Sequence, residues 1–391
     1  MQPSDLRIAL FVGNYNYVRD GASQTLNRLV KYLLEQGVTV RIYSPTVDEP
    51  AFEPTGQIVS VPSLPIPFRP EYRFPLGLPL RVRRDVRRFA PNIVHIASPD
   101  IASHRALSWA RAREIPTVAS VHTRFETYCR YYGLSVLEPL ATALLRRFYR
   151  RCDAIFAPSD SMAQELRRQR MNYDIGIWSR GIDHGIFNPG RRDMEWRRSL
   201  GIPDKTPVIG FVGRVVMEKG LDVFAESIDR LAKRHVDHRV LVVGAGPAKD
   251  WFEQRIPNAI FAGFLTHEEL GRAIASMDLL FNPSDTETFG NVTLEAMAVG
   301  IPVVAACATG SQSLIDDGVN GRLVRAGACD RFADALAQYC EKAAVRRSAG
   351  EAAQRFSLGF GWDDVNRDML ENYLRVIRQT KKARQAPPTI P

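Results

Sequence analysis

Glu287 and Glu295 stand eight residues apart in the segment Ser284-Asp-Thr-Glu-Thr-Phe-Gly-Asn-Val-Thr-Leu-Glu295, around a small polar turn that leads into a helix. A turn such as Phe289-Gly290-Asn291 at a helix start offers free backbone N–H groups to a phosphate. The two carboxylates beside it repel phosphate and suit hydroxyl groups instead. Phosphate donors flanked by hydroxyl acceptors match the chemistry of a nucleotide sugar.

Three further loops carry residues of the same kind. Gly213-Arg214 and Lys219-Gly220 follow an apolar run, and the two cations, five residues apart, both reach a diphosphate. The bland reading is a surface loop with two ordinary cations. Val243-Gly-Ala-Gly246 is a tight turn that lacks the third glycine of a dinucleotide fingerprint. Gly263-Phe264-Leu265 either lays backbone groups along a base edge or is a plain turn.

In the first half, Asp20-Gly21-Ala22-Ser23 opens a helix. There Gly21 either brings backbone close to a reacting phosphate or sugar, or simply starts a helix with Ser23 as its cap. His122 follows an apolar run and projects from a strand end, where a histidine is either a structural hydrogen-bonder or a catalytic contact. Tyr128, Tyr131 and Tyr132 either line an acceptor site or pack. No Ser-His-Asp order, H-E-x-x-H or P-loop is present, and no cluster of metal ligands, so neither a metal nor a cofactor is expected.

These residues need rigid elements beneath them, and the chain alternates strands and helices twice. Strands are expected at 7–13, 38–44, 92–97, 117–121 and 154–157, with helices at 23–36 and around 101–113. After an irregular, glycine-rich stretch at 180–191 the alternation resumes, with strands at 207–213, 239–244, 258–262, 277–283 and 301–306. A last helix is expected over 362–382, its apolar face formed by Val365, Met369, Leu370, Tyr373, Leu374 and Ile377. Eight prolines between Pro50 and Pro79 rule out a central helix or strand there and predict a long loop. The fold class implied is α/β, with two doubly wound Rossmann-like domains facing across a cleft. The domains are expected at 1–184 and 205–358, joined by a linker at 185–204. A C-terminal helix is expected at 359–382 and a disordered tail at 383–391.

The 391-residue length is too great for one ordinary core, and 45% hydrophobic with 24% charged residues describes a soluble globular protein. No apolar run approaches the ~20 residues of a membrane span. Met1-Gln-Pro-Ser-Asp leads straight into the first strand, leaving no room for a secretory signal. Five cysteines without C-x-x-C spacing point to a reducing cytosol. The net charge of +9 is uneven: residues 1–190 hold 25 Lys/Arg against 17 Asp/Glu, and the remainder holds 27 against 26. Basic clusters at Arg81–Arg88, Arg146–Arg151 and Arg167–Arg170 suit either solvated helix faces or an anionic membrane surface. The segment 77–89 either lies on such a surface with its leucines, valines and phenylalanine inward or forms an ordinary core-facing helix. These clusters lack interleaved aromatics, so no nucleic-acid partner is expected.

The E-x7-E pair Glu287 and Glu295, the Gly213-Arg214…Lys219-Gly220 loop and Ser179-Arg-Gly-Ile-Asp183 together resemble the retaining glycosyltransferases of family 4, which have the GT-B fold. Ile177-Trp178-Ser-Arg-Gly-Ile-Asp183 and His95-Ile-Ala-Ser-Pro99 look closest to GDP-mannose-dependent α-mannosyltransferases and sulfoquinovosyl-diacylglycerol synthases. The resemblance spans almost the whole chain. It implies that Arg214 and Lys219 neutralise the donor diphosphate, Glu287 accepts hydrogen bonds from the donor sugar and Glu295 binds ribose. It implies too that backbone amides at Phe289 to Asn291 hold sugar and phosphate, that His122 contacts the sugar or acceptor, and that the helix at 359–382 returns to the first domain. One departure is that the first-domain loop has only Gly21 where the family often has paired glycines. The partners implied are a nucleotide sugar and a lipid or glycan acceptor. A sugar-nucleotide epimerase or hydrolase on the same architecture is the alternative.

Overall fold

The structure, a computed structural model, describes residues 1–66, 69–125 and 135–385. The chain divides into two units: residues 1–180 together with the segment from Trp362 onward, and residues 181–361.

The first unit is built on a seven-stranded parallel sheet. In chain order its strands are β1 (Arg7–Phe11), β2 (Thr39–Ser44), β3 (Gln57–Ser60), β6 (Ile93–Ile96), β7 (Thr117–Ser120), β8 (Ala154–Ala157) and β9 (Ile175–Ile177), arranged β3-β2-β1-β6-β7-β8-β9. A separate antiparallel hairpin pairs β4 (Ser63–Ile66) with β5 (Arg69–Pro75). The strands are apolar on both faces because helices cover both. Ala9 and Phe11 of β1 enter one buried cluster, while Ile8 and Leu10 enter the other. That split follows from the two-residue side-chain period of a strand.

The proline-rich segment differs from the expected long loop, since it contains β3, β4 and β5. Its prolines still obey the ladder rule: β3 is proline-free and lies at the sheet edge, while Pro65, Pro70 and Pro75 fall in the two-stranded hairpin.

The helix Leu80–Phe89 takes the core-facing one of the two readings of 77–89. Val82, Val86 and Phe89 are buried in the core of the first unit, and its Asp85 accepts from Tyr43 Oη at 2.9 Å. The arginines of that helix point outward because its apolar face is already used. Several other arginines act as staples on backbone carbonyls. Arg146 Nε donates to Gln169 O at 2.7 Å, Arg150 Nε to Arg170 O at 2.9 Å and Arg167 Nη2 to Ile175 O at 3.0 Å. Carbonyl partners do not neutralise charge, so the positive surface persists.

The helix Trp362–Gln385 packs Val365, Met369, Leu370, Tyr373, Val376 and Ile377 into the second cluster of the first unit. Each such burial stabilises by about 1.5–3 kcal/mol.

The second unit has a six-stranded parallel sheet: β10 (Val208–Val212), β11 (Arg239–Val243), β12 (Ile260–Gly263), β13 (Leu279–Asn282), β14 (Val303–Ala306) and β15 (Gly321–Val324), ordered β12-β11-β10-β13-β14-β15. Residues 185–204 belong to this unit rather than forming a free connection. Their helix Met194–Ser199 contributes the fully buried Arg197, whose guanidinium donates to Asp278 Oδ2 at 2.8 Å, Ser276 O at 3.0 Å and Thr206 O at 2.9 Å. Arg192 pairs with the other carboxylate oxygen of Asp278 at 2.8 Å. Burial alone would raise the Asp278 carboxyl, but Arg192 and Arg197 outweigh it and hold the group below its ordinary range.

Candidate active site in the second unit

In an open parallel sheet, ligands settle outside the carboxyl ends of the strands where the strand order reverses. In the second sheet that point lies between β10 and β13. The loops leaving those two strands are Gly213–Gly220 and Pro283–Gly290, the pair singled out by residue type.

Packing at this edge explains several glycines. Gly220 adopts φ +72°, and a Cβ there would stand 3.1 Å from Pro283 O, so the two loops touch only if this residue lacks a side chain. The loops are also tied by hydroxyls: Ser284 Oγ and Thr286 Oγ1 each lie 3.4 Å from Glu218 O. Gly246 has a packing cause, since its Cβ would come within 2.3 Å of Val215 O. Gly213 is different. It has φ +142° and nothing within 4 Å of the position a Cβ would take, so its backbone faces open space that a ligand can enter.

The close approach at Gly220 brings Lys219 against Glu287. Lys219 Nζ and Glu287 Oε1 form an ion pair with both side chains half-buried. Glu287 is fixed from behind, where Gly310 N–H donates to its backbone carbonyl at 2.7 Å. Arg214 is exposed and makes no ion pair among the described residues. Gly290, with φ +96°, caps the helix Asn291–Ala298, and Glu295 lies in the middle of that helix, partly exposed. Phe289 is buried in the core and packs near Phe360, so only its backbone is open to chemistry. Phe264 is 65% exposed just after β12, a large apolar ring left for something to cover. Gly213, Arg214, Lys219, Glu287, Gly290, Asn291 and Glu295 therefore share one sheet edge. Phe264 follows at the end of the same edge.

The remaining candidates lie in the first unit. Gly21 is the first residue of the helix Gly21–Glu35; Asp20 caps it by accepting from Ser23 N–H at 2.7 Å, and Asn14 Nδ2 holds the other oxygen of Asp20 at 2.8 Å. His122 follows β7 with both ring nitrogens engaged: Nε2 is 2.8 Å from Ser120 Oγ and Nδ1 is 2.8 Å from Arg180 Nη2. Tyr128, Tyr131 and Tyr132 lie outside the described residues. Sequence reasoning did not select Arg180, Ser120, His95 or Tyr373 for chemistry. Arg180 and His95 stood within motifs already noted, but Tyr373 looked like one more apolar position on a helix face.

Residues 19–185 match the family described as Glycosyltransferase Family 4, and residues 206–342 match the family described as Glycosyl transferases group 1. The chain is 32% identical to a GDP-mannose-dependent alpha-mannosyltransferase of Mycolicibacterium smegmatis, over 95% of this chain and 98% of that one. It is 31% identical to the sulfoquinovosyl transferase SQD2 of Arabidopsis thaliana, over 91% of this chain and 71% of that protein. Among solved structures it resembles sucrose-phosphate synthase from Thermosynechococcus elongatus, with a TM-score of 0.79 at 17% identity, covering 96% of this chain and all (100%) of that one. That last likeness bears on the GT-B fold.

Proposed function

Because this chain belongs to glycosyltransferase family 4 and is a glycosyltransferase, we propose that it transfers a hexosyl unit from GDP-mannose or a UDP-sugar to a lipid or glycan acceptor, with retention of configuration. The observation that carries this reading is the Lys219–Glu287 pair at the switch point of the second sheet. A cation suited to a diphosphate there touches a carboxylate suited to sugar hydroxyls.

In this reading Arg214 and Lys219 bind the diphosphate and stabilise the charge that grows on it as the sugar departs. The N–H groups of Gly290 and Asn291 add donors at the helix start. Glu287 orients the sugar, Glu295 holds the ribose hydroxyls, and Gly263 with Phe264 accommodates the base. Gly21 and His122 belong to the first unit, and the family resemblance assigns them sugar or acceptor contacts. The acceptor oxygen attacks C1 on the face from which the phosphate leaves. The C1–O bond to phosphate breaks as the new glycosidic bond forms, and the acceptor proton passes to the departing phosphate. Positioning and charge stabilisation then supply the rate.

The test is turnover of Glu287→Ala with a panel of nucleotide sugars, preceded by thermal-shift screening against UDP, GDP and ADP. Loss of hydrogen bonds to a charged group costs about 1.5–3 kcal/mol. Wild-type turnover in that variant would refute the site assignment.

The acceptor surface has its own observation. The helix Glu138–Tyr149 turns Leu140 and Leu144 to solvent, after exposed Val136 and Leu137, and its exposed face continues into Arg147 and Arg150. Exposed leucines followed by arginines suit an anionic bilayer and a lipid acceptor within it. Among the described residues no helix is long and apolar enough to cross a membrane. Vesicle flotation with and without anionic lipid tests this, and binding indifferent to Leu140→Ser with Leu144→Ser would refute it.

A further inference from the structure

Four hydrogen bonds run in series through the first unit. Arg180 Nη2 is 2.8 Å from His122 Nδ1, and His122 Nε2 is 2.8 Å from Ser120 Oγ. The same hydroxyl is 2.8 Å from His95 Nε2, whose Nδ1 lies 2.7 Å from Tyr373 Oη. The series starts beyond β9, crosses the ends of β7 and β6, and finishes on the helix Trp362–Gln385. His95, Ser120, Arg180 and Tyr373 are buried, whereas His122 is partly exposed. Buried Trp178 stands edge-on to both imidazoles, and the Arg180 guanidinium lies over its ring.

The donor and acceptor inventory constrains the protons. A guanidinium only donates, so His122 Nδ1 must present its lone pair to Arg180. The ring hydrogen then sits on Nε2 and goes to the Ser120 hydroxyl, which bridges to His95. Protonating His122 would set an N–H against an N–H and one cation against another. Arg180 itself is a buried cation without a carboxylate partner among the described residues, since its other donors go to Trp178 O at 3.2 Å and Ser179 O at 3.3 Å. Two titratable groups facing His122 are Arg180 and His95, and both oppose a positive imidazole. Burial first, then the charge of Arg180, keeps the His122 imidazole well below its ordinary 6.5. Burial alone lowers Arg180 to about 10, still a cation at neutral pH.

We infer that Arg180 is a positioning residue that locks His122 as the neutral Nε2–H tautomer, and that Ser120, His95 and Tyr373 fix the ring from the C-terminal helix. A ring held this way cannot accept the acceptor's proton. This deepens the transferase reading and rests on it: the departing phosphate is left as the base.

The test uses the full-length protein with 15N-labelled histidine, the His122 signals being assigned with His122→Gln. The expected wild-type result is one neutral Nε2–H form from pH 5.5 to 8, and a kcat/KM profile with no limb near 6.5. Arg180→Met removes the donor that claims Nδ1, so His122 should show a mixture of Nδ1–H and Nε2–H tautomers, with its titration moved upward while burial still holds it below the ordinary 6.5. It should also lower kcat/KM at every pH from 5.5 to 8, because part of the population then carries the ring hydrogen on the wrong nitrogen. Arg180→Lys, which still donates, should restore the single Nε2–H form. A wild-type His122 that titrates near 6.5 or carries its hydrogen on Nδ1 would overturn the proposal, as would a ring that keeps the single Nε2–H tautomer in a folded Arg180→Met. The wild-type spectrum decides even if the Met variant does not fold. These spectra do not depend on turnover, so a locked ring in a protein whose Glu287→Ala variant keeps full activity would sink the transferase site and leave the lock standing.

Discussion

Lys219 and Glu287 neutralise each other across the mouth of the second sheet. In the proposed site a donor parts them, replacing one ion pair with a Lys–phosphate contact and a Glu–hydroxyl contact. Nucleoside diphosphate, lacking the sugar, supplies only the first and leaves Glu287 without its cation. A partly exposed pair is worth up to about 1 kcal/mol. Glu287→Gln is thus expected to bind the free diphosphate roughly fivefold more tightly while turning over the nucleotide sugar at least about tenfold more slowly. Calorimetry with UDP or GDP beside initial-rate kinetics checks both directions, and weaker diphosphate binding in the variant contradicts the exchange.

Asp278 satisfies two arginines and the Val208 N–H at 2.9 Å, and Arg197 is wholly buried beside it. Asp278→Asn leaves that guanidinium as an uncompensated buried cation, for which a loss of about 3–5 kcal/mol is expected. Urea unfolding of the full chain measures it. A change below 1 kcal/mol, on the order of a surface substitution, would mean that the pair is dispensable.

Stability should fall on mild acidification. Burial holds His95 at about 3 in the folded protein against an ordinary 6.5. Between those values the unfolded chain takes up a proton that the folded chain refuses. The stabilisation is therefore complete above 6.5, declines as pH falls and levels off near 3, with a slope of about 1.4 kcal/mol per pH unit. His122, also held low, adds in the same direction. Denaturant titrations at pH 7, 6 and 5 should show the decline, and His95→Asn should flatten part of it.

Much of the edge chemistry was legible because it is local. Glycines at strand ends, two carboxylates eight residues apart and cations after β10 are read from short windows, and the parallel sheet brings those windows together. The helix Leu80–Phe89 shows where local reading fails. Its pattern of leucine, valine and arginine is the same whether the apolar face meets lipid or core, and only packing against Phe11, Tyr43 and their neighbours decides. The hairpin of β4 and β5 was hidden because proline excludes a central strand without excluding a two-stranded one. Tyr373 was invisible as a polar residue. Its hydroxyl meets His95 across 278 positions, a separation no motif encodes.

The division of the chain has a consequence for how the molecule is made. The second unit is one continuous stretch, 181–361, inserted within the first, and both crossings are clasped where Ile182 N–H donates to Phe360 O at 2.7 Å. Proteins emerging from the ribosome ordinarily complete their leading domain before the next. Here the leading domain must wait for the segment from Trp362 onward to be translated, so its half-covered sheet is the vulnerable surface of the nascent chain, while the domain synthesised second is the first able to finish.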